Sequence, residues 1–423
     1  MTCGSTWLHL KFPEFYFYPR EYEQNPFIRY QQWTNIAGML FIIGIALTFF
    51  LEFLLLSKKN KSTADIILAL WLFFTGVHLF LFYLHFAGLY SQFPALIGVI
   101  MPMPLVHGPF LFLYVTNLTH QVPGRRYLQL IHFVPPFLMY LYMIHFFILP
   151  ASEKSAIIES GGTGYETFSA INFASIVISG IGYVAASKVL LRRYGKRIRQ
   201  EFSDIEKISL NWLRYNIWGI GAIWGVVLLG NFIFSDQLRK YGFDPDVPIF
   251  GTVVLFVCFL GFFGIRQSNV FVAGARPVPA SPDLQPAEPS RQKEVEKYAK
   301  SGLRDTDAAQ LHKKLNEFMK QEKPYLNSSL SLSKLGESMD IHPNYLSQVI
   351  NERERKNFYD YINGYRIDEF FRLVSDPKKK HFTLLSLALD SGFNSKSTFN
   401  ACFKKVTGQT PSEYMRQKKA VSV

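Results

Sequence analysis

Residues 383–407 read "TLLSLALDSGFNSKSTFNACFKKVT", an apolar pattern at helical spacing that stops and then resumes. Leu384, Leu387 and Ala388 fall on one face of a short first helix, as residues three and four apart do. Gly392 supplies the turn, because glycine enters left-handed backbone without the steric cost of a Cβ. Ser395 is placed to cap a second helix, whose Phe399, Cys402, Phe403 and Val406 point inward. Two outward rows run at i, i+4 spacing: Lys396, Asn400 and Lys404, and beside them Ser397, Ala401 and Lys405. Gly408 stops the helix. Thr410 and Glu413 then form a capping box, with Pro411 in the first helical position, where its missing N–H costs nothing.

The same signals occur upstream in residues 330–352, "LSLSKLGESMDIHPNYLSQVINE". Leu332, Leu335 and Met339 make the inner face of the first helix, and Asp340 takes the turn, since Asp tolerates left-handed geometry. Pro343 starts a second helix that buries Leu346, Val349 and Ile350. Asn344, Tyr345, Ser347, Gln348 and Asn351 are left outward, and side-chain amides suit adenine edges. Between the two units, "NFYDYINGYRIDEFFRLV" reads as one amphipathic helix burying Phe358, Tyr361, Ile362, Tyr365 and Phe370. One helix-turn-helix pattern is common in any helical bundle. Two on one connecting helix are more telling, because such a pair can enter successive major-groove segments about 34 Å apart on one DNA face.

Charge agrees with a polyanionic partner. Residues 291–423 carry 24 Lys+Arg against 16 Asp+Glu, which is +8 of the chain's +13. The outward positions nominated for DNA are therefore Asn344, Tyr345, Ser347, Gln348, Asn351, Lys396, Ser397, Asn400, Lys404 and Lys405. Upstream, "DTDAAQLHKKLNEFMKQEKPYL" repeats Ala308, Leu311, Leu315, Phe318 and Met319 at helical spacing, with Asp305 or Thr306 available as N-cap. This connector either packs on the domain behind it or pairs with a second copy in a homodimer. It is too short for a coiled coil.

The rest of the chain is of a different kind. Residues 1–290 hold all 6 Trp and long uncharged runs. A membrane span needs about 20 mainly apolar residues. Seven segments qualify: Asn35–Leu56, Ile66–Phe86, Ala95–Leu118, Leu128–Leu149, Phe168–Leu191, Trp212–Phe234 and Ile249–Phe271. Odd-numbered loops carry 11 Lys/Arg and even-numbered loops 3. The positive-inside bias then puts the odd loops and the C-terminal domain in the cytoplasm and the N-terminus outside. Three cysteines, Cys3, Cys258 and Cys402, are too scattered for a disulfide framework or a zinc site.

Within the spans His78, His85, His107 and His132 are candidate sensor-lining groups, and a bland role as hydrogen-bond donors across the bundle competes with that. No pair has metal-ligand spacing with an acidic partner, so no metal and no cofactor are expected. No lysine sits mid-membrane in the last span, which argues against a retinal photoreceptor. Pro102, Pro104 and Pro109 should kink the third span. The organisation expected is residues 1–33 as a short extracytoplasmic segment, 34–272 as the seven-helix region, 273–302 as a Pro-rich linker, 303–324 as the connector helix and 325–417 as the double helix-turn-helix domain.

The stretch "SLALDSGFNSKSTFNACFKKVTGQTPSEYM" closely resembles the second half of the AraC/XylS transcriptional regulator signature. "HPNYLSQVINE" followed by "NFYDYINGYR" resembles its first half, in the form common among Bacteroidetes. The resemblance covers roughly residues 325–417. "GPFLFLYVTNLT" and "HFVPPFLMYL" look like the seven-span region attached to this domain in some of those regulators. The resemblance implies sequence-specific binding of double-stranded promoter DNA, often as an activator, with RNA polymerase as a further partner. The chain departs from the family at Ala401, commonly arginine, at Asp340, usually glycine, and at His342, usually a serine cap. Where that arginine binds guanine, its loss removes about 1–3 kcal/mol of discrimination. Lys396, Lys404 and Lys405 still supply phosphate contacts.

These readings set one leading expectation. The chain is all-α, a seven-transmembrane helix bundle followed by a cytoplasmic domain of two helix-turn-helix units joined by a linker helix. It acts as a one-component transcription regulator of the inner (cytoplasmic) membrane, its span region sensing a small molecule or an envelope signal. The competing expectation is a membrane transporter or membrane enzyme with a regulatory tail. Span centres nearly bare of acidic residues weigh against it. An affinity of the basic tail for anionic lipid is a third reading. No phosphate loop, nucleophile elbow or kinase signature points to soluble catalysis.

Overall fold

The computed structural model describes residues 27–119, 126–160, 162–206, 208–232, 246–266 and 304–421. Among them the chain is helical throughout, and its one extended pairing is an isolated bridge between Phe202 and Ser331. The chain divides into two units, Met1–Leu191 with Asn211–Pro277, and Arg192–Leu210 with Val278–Val423.

The first unit holds α1 (Phe27–Leu56), α2 (Thr63–Phe86), α3 (Pro104–Leu118), α4 (Val134–Tyr142), α5 (Ile144–Ile148), α6 (Ala151–Glu159), most of α7 (Glu166–Glu201), α8 (Asn211–Phe232) and α9 (Asp246–Arg266). Helix α1 packs along α2 and α9, α9 along α8, and α2 along α3. The core is aromatic. Phe82 stacks on Phe250 with ring centroids 3.8 Å apart, and Phe41 meets Phe82 edge-on at 5.1 Å. Gly44 brings α1 and α9 together, since a Cβ there would lie 2.6 Å from Val254. Small residues serve helix packing in this way.

Three described helices are long and apolar enough to cross a membrane: Ile36–Leu56, Thr63–Phe86 and Glu166–Glu201. The expected third span is not one helix. A 3-10 turn at Pro94–Leu96 precedes it, and α3 begins only at Pro104. Between them Met103 N bonds Ile100 O and Leu105 N bonds Pro102 O, the three-residue pattern of tight turns. Pro102 and Pro104 have no amide hydrogen for an α-helix running from Ala95, so the helix starts where a proline is harmless. Pro109 is accommodated inside α3. The expected fourth span is likewise divided, into a 3-10 stretch Arg126–Phe133, α4 and α5, with proline in the first turn of α4. Helix α1 begins at Phe27, inside the segment expected to precede the spans. The loops at 120–125 and 233–245, the linker at 273–302 and the first 26 residues lie outside the described residues.

The second unit continues with α10 (Asp305–Gln321), α11 (Leu332–Met339), α12 (Pro343–Arg353), α13 (Phe358–Val374), α14 (Leu384–Asp390), α15 (Lys396–Thr407) and α16 (Pro411–Val421). It has two cores. Leu315 and Met319 of α10 join Leu332, Leu335, Met339, Leu346, Ile350, Phe358, Tyr361 and Ile362 in the first. Ile367, Phe370, Leu387, Ala388, Phe393, Phe399, Cys402 and Phe403 make the second. The connector α10 thus packs on its own domain. Its cap is Arg304 rather than Asp305 or Thr306, and no side chain serves it. Helix α13 contributes to both cores, which is why it buries more than one stripe, with Tyr359 and Ile367 inside as well.

Candidate nucleic-acid interface

Each helix-turn-helix unit is built by local hydrogen bonds. Ser331 accepts from Lys334 N to start α11, and Asp340 ends it in left-handed backbone, φ 54°. His342 then caps α12 through Nδ1, which accepts from Asn344 N at 3.3 Å, ahead of Pro343. In the second unit Thr383 caps α14, Ser395 caps α15 by accepting from Thr398 N at 3.2 Å, and Gly408 closes α15 at φ 78°. Thr410 N donates to Glu413 and Glu413 N to Thr410, the reciprocal pair that starts α16. Gly336 was not singled out by the pattern. A Cβ there would sit 2.6 Å from Ile341 O, so the first turn folds back directly on α11.

On α12, Asn344 and Tyr345 are exposed and Ser347 and Asn351 half-buried, with Asn351 Nδ2 donating to Ser347 Oγ at 3.4 Å. Gln348 departs from expectation. It is only 5 % exposed, and its Nε2 donates to Glu352 at 3.1 Å. Helix α10 packs along α12, where His312 meets Glu354 at 2.7 Å and Arg353 pairs with Asp305. The outward face of α12 is narrower than its polar pattern suggested.

On α15, Lys396, Ser397, Ala401, Lys404 and Lys405 are exposed and Asn400 is half-buried. Lys396, Asn400 and Lys404 form the row expected of them. Lys405 is drawn toward α13, its Nζ 2.6 Å from Asp360. Val406, expected inside, is 59 % exposed. Cys402 is buried beside Tyr359, with Sγ and the phenol oxygen 3.3 Å apart. Burial pushes its thiol up, and the thiolate is the reactive form. With Cys3 and Cys258 replaced by serine, Cys402 is expected to react with N-ethylmaleimide roughly tenfold or more slowly than in the urea-unfolded chain. Mass spectrometry of the timed adducts checks this.

A residue that the periodicity did not find is Arg366, on α13. It is fully buried, and burial pushes its guanidinium down to about 10, still charged at neutral pH. Its five N–H groups all have acceptors. Nε donates to Tyr325 O at 2.8 Å, Nη1 to Asn363 Oδ1 and Ser203 O at 3.1 and 3.2 Å, and Nη2 to Asn327 O and Ser203 Oγ at 2.9 and 3.0 Å.

The histidines of the first unit form separate contacts rather than one cluster. Trp71 Nε1 donates to His107 Nδ1 at 3.1 Å, and His107 Nε2 lies 2.9 Å from His78 Nδ1. Indole can only donate, so His107 carries its proton on Nε2 and passes a hydrogen bond to His78. His132 Nδ1 meets Tyr183 Oη at 3.0 Å, and His85 lies beside the Tyr90 ring at 5.9 Å. Among the described residues no three His, Cys, Asp or Glu side chains converge as metal ligands would.

Residues 335–417 match the family model described as a helix-turn-helix domain. The chain is 28 % identical over 90 residues to the melibiose operon regulatory protein of Escherichia coli K12, covering 21 % of this chain and 29 % of that protein. It is 26 % identical over 105 residues to the transcriptional regulatory protein HptR of Staphylococcus aureus NCTC 8325, covering 25 % of this chain and 40 % of that one. The chain thus spans well under half the length of either relative. No solved structure matches it.

Proposed function

We propose that this chain is a membrane-anchored transcription regulator that binds duplex DNA through α12 and α15. The observation that carries the reading is the pairing of two capped helix-turn-helix units on one buried helix, α13, with Lys396, Asn400 and Lys404 displayed along α15. Both relatives bear the names of regulators. Asn344 and Tyr345 are the exposed positions of α12 suited to base edges, and Lys396 and Lys404 are suited to phosphates. Ala401 is exposed between them, where its methyl suits a thymine methyl.

The membrane part of the reading is supported by the apolar side chains that α1 and α7 leave uncovered. Ile36, Met39, Ile43, Phe50 and Phe53 are more than half exposed, or nearly three-quarters at Ile178 (73 %). Patches of that kind mark contact with another apolar phase. In this reading the remaining apolar segments complete a seven-span region in the inner membrane, the basic odd loops face the cytoplasm, and the span region senses a small molecule or envelope state. Regulation at promoters, contact with RNA polymerase and pairing of two copies belong to the same proposal.

The test is salt-dependent binding of duplex DNA by the full-length chain in lipid nanodiscs. Lys396→Ala/Lys404→Ala is expected to reduce the magnitude of the slope of log K against log salt by about 2, near 0.9 per lost phosphate contact. A slope that stays the same in the double variant sinks the assignment of α15.

A further inference from the structure

The segment Phe202–Glu206, which follows α7, lies in the helix-turn-helix unit, although Ser203 stands 127 residues before its partner Leu330. Ser203 anchors it. Its N–H and its hydroxyl both donate to Leu330 O, at 3.2 and 2.6 Å, while its carbonyl accepts from Asn363 Nδ2 at 2.9 Å and from Arg366. Ser203 is completely buried, and Ile205 packs against the second core. The two acidic residues beside them reach the start of α15. Asp204 accepts from Asn394 Nδ2 at 2.9 Å. Glu206 accepts from Ser397 Oγ through one carboxylate oxygen and from Thr398 Oγ1, at 3.3 Å, through the other.

We propose that this acidic segment is an autoinhibitory plug: Asp204 and Glu206 occupy the N-terminal end of α15 that a DNA phosphate would take, and weaken DNA binding until they are displaced. The inference rests on the assignment of α15 as a DNA-contacting helix. Its logic is one of exclusion. Ser397 has a single hydroxyl hydrogen, and the carboxylate already accepts it. A helix N-terminus favours an anion, so carboxylate and phosphate compete for one place. Two added negative charges also repel an approaching DNA backbone. The anchor and the plug are different residues. Ser203 and Ile205 hold the segment from behind, while Asp204 is half-buried and Glu206 exposed, so the acidic groups can be neutralised without removing what seats the segment.

The experiment compares full-length chains in lipid nanodiscs for binding to a fluorescent duplex pool of random sequence. Asp204→Asn/Glu206→Gln is expected to bind about tenfold more tightly than the unaltered chain, as removal of facing like charges allows. Asp307→Asn/Glu317→Gln, on exposed positions of α10, makes the same change in net charge and should gain much less. Equal gains in the two variants overturn the plug. A second measurement does not depend on variants: adding the duplex pool to the unaltered chain should accelerate hydrogen exchange at the amides of Phe202–Glu206, and undiminished protection there overturns the plug. Lys396→Ala/Lys404→Ala separates this failure from that of the underlying assignment. If that variant loses affinity while Asp204→Asn/Glu206→Gln matches its charge control, α15 binds DNA and the plug is wrong. If it binds as the unaltered chain does, the assignment of α15 falls and the plug with it.

Discussion

Gly392→Ala is expected to destabilise the second helix-turn-helix unit by about 3–5 kcal/mol, a large share of a domain's stability. Two independent costs combine. The backbone at Gly392 has φ 94°, which a Cβ opposes by about 1–2 kcal/mol. The added carbon would also lie 2.3 Å from Tyr325 O and 2.8 Å from Leu326 Cα. Both are backbone atoms, so no side chain can swing aside, and the turn between α14 and α15 must move away from the 3-10 turn at Pro324–Leu326. Gly408→Ala is the internal control. It has φ 78° but nothing within 4 Å of the new Cβ, so it should cost only the conformational part, about 1–2 kcal/mol. Hydrogen exchange at the amides of α15 in the full-length chain reads both. Similar losses in the two variants would show that the close approach to Tyr325 contributes nothing.

That comparison also marks what could be read from sequence. Gly408, Asp340, the caps at Ser395 and Thr410 and the left-handed turn at Gly392 act within four residues of themselves, and a linear pattern records such interactions, whereas the approach of Gly392 to Tyr325 O left no trace in it. The all-helical character and the two helix-turn-helix units were legible for that reason. The apolar content of residues 95–118 was legible too, and its prolines announced a kink; that the helix would begin only at Pro104, after three-residue turns, was not, because hydropathy counts carbon and not amide hydrogens. Gln348 and Val406 were misjudged because burial on a helix depends on which neighbours pack there, and α10 narrows the free face of α12. The acidic segment at Asp204 and Glu206 was hidden by composition: its loop was counted only for its six Lys and Arg. Contacts spanning 191 residues, such as Ser397 with Glu206, leave no periodicity behind.

Arg366 is the extreme case of such long-range dependence, and its replacement carries the second large effect. Arg366→Ala is expected to cost about 3–5 kcal/mol, because it combines orphaned acceptors with a cavity. Tyr325 O and Asn327 O would lose the guanidinium bonds that satisfy them, and Ser203 would lose two donors, though its carbonyl keeps Asn363 Nδ2. The side chain is completely buried, so water does not replace these bonds without opening the fold. Arg366→Lys should recover only part of the loss, since an ammonium brings three donors where the planar fork brings five in fixed directions. Arg366→Met fills the volume but supplies no donor, and is expected to fall near alanine if hydrogen bonding dominates or near lysine if packing does. Global exchange of the α13 amides in the full-length chain measures the series. At about 1.4 kcal/mol per tenfold, the alanine variant should exchange more than a hundredfold faster. Because three of the residues that supply its acceptors, Tyr325, Asn327 and Ser203, lie outside the α-helices, Arg366 ties the connecting backbone to α13. The same substitution should therefore also expose the amide of Ser203, and an Arg366→Ala chain that keeps that amide protected would show that the segment is seated by Leu330 and Asn363 alone.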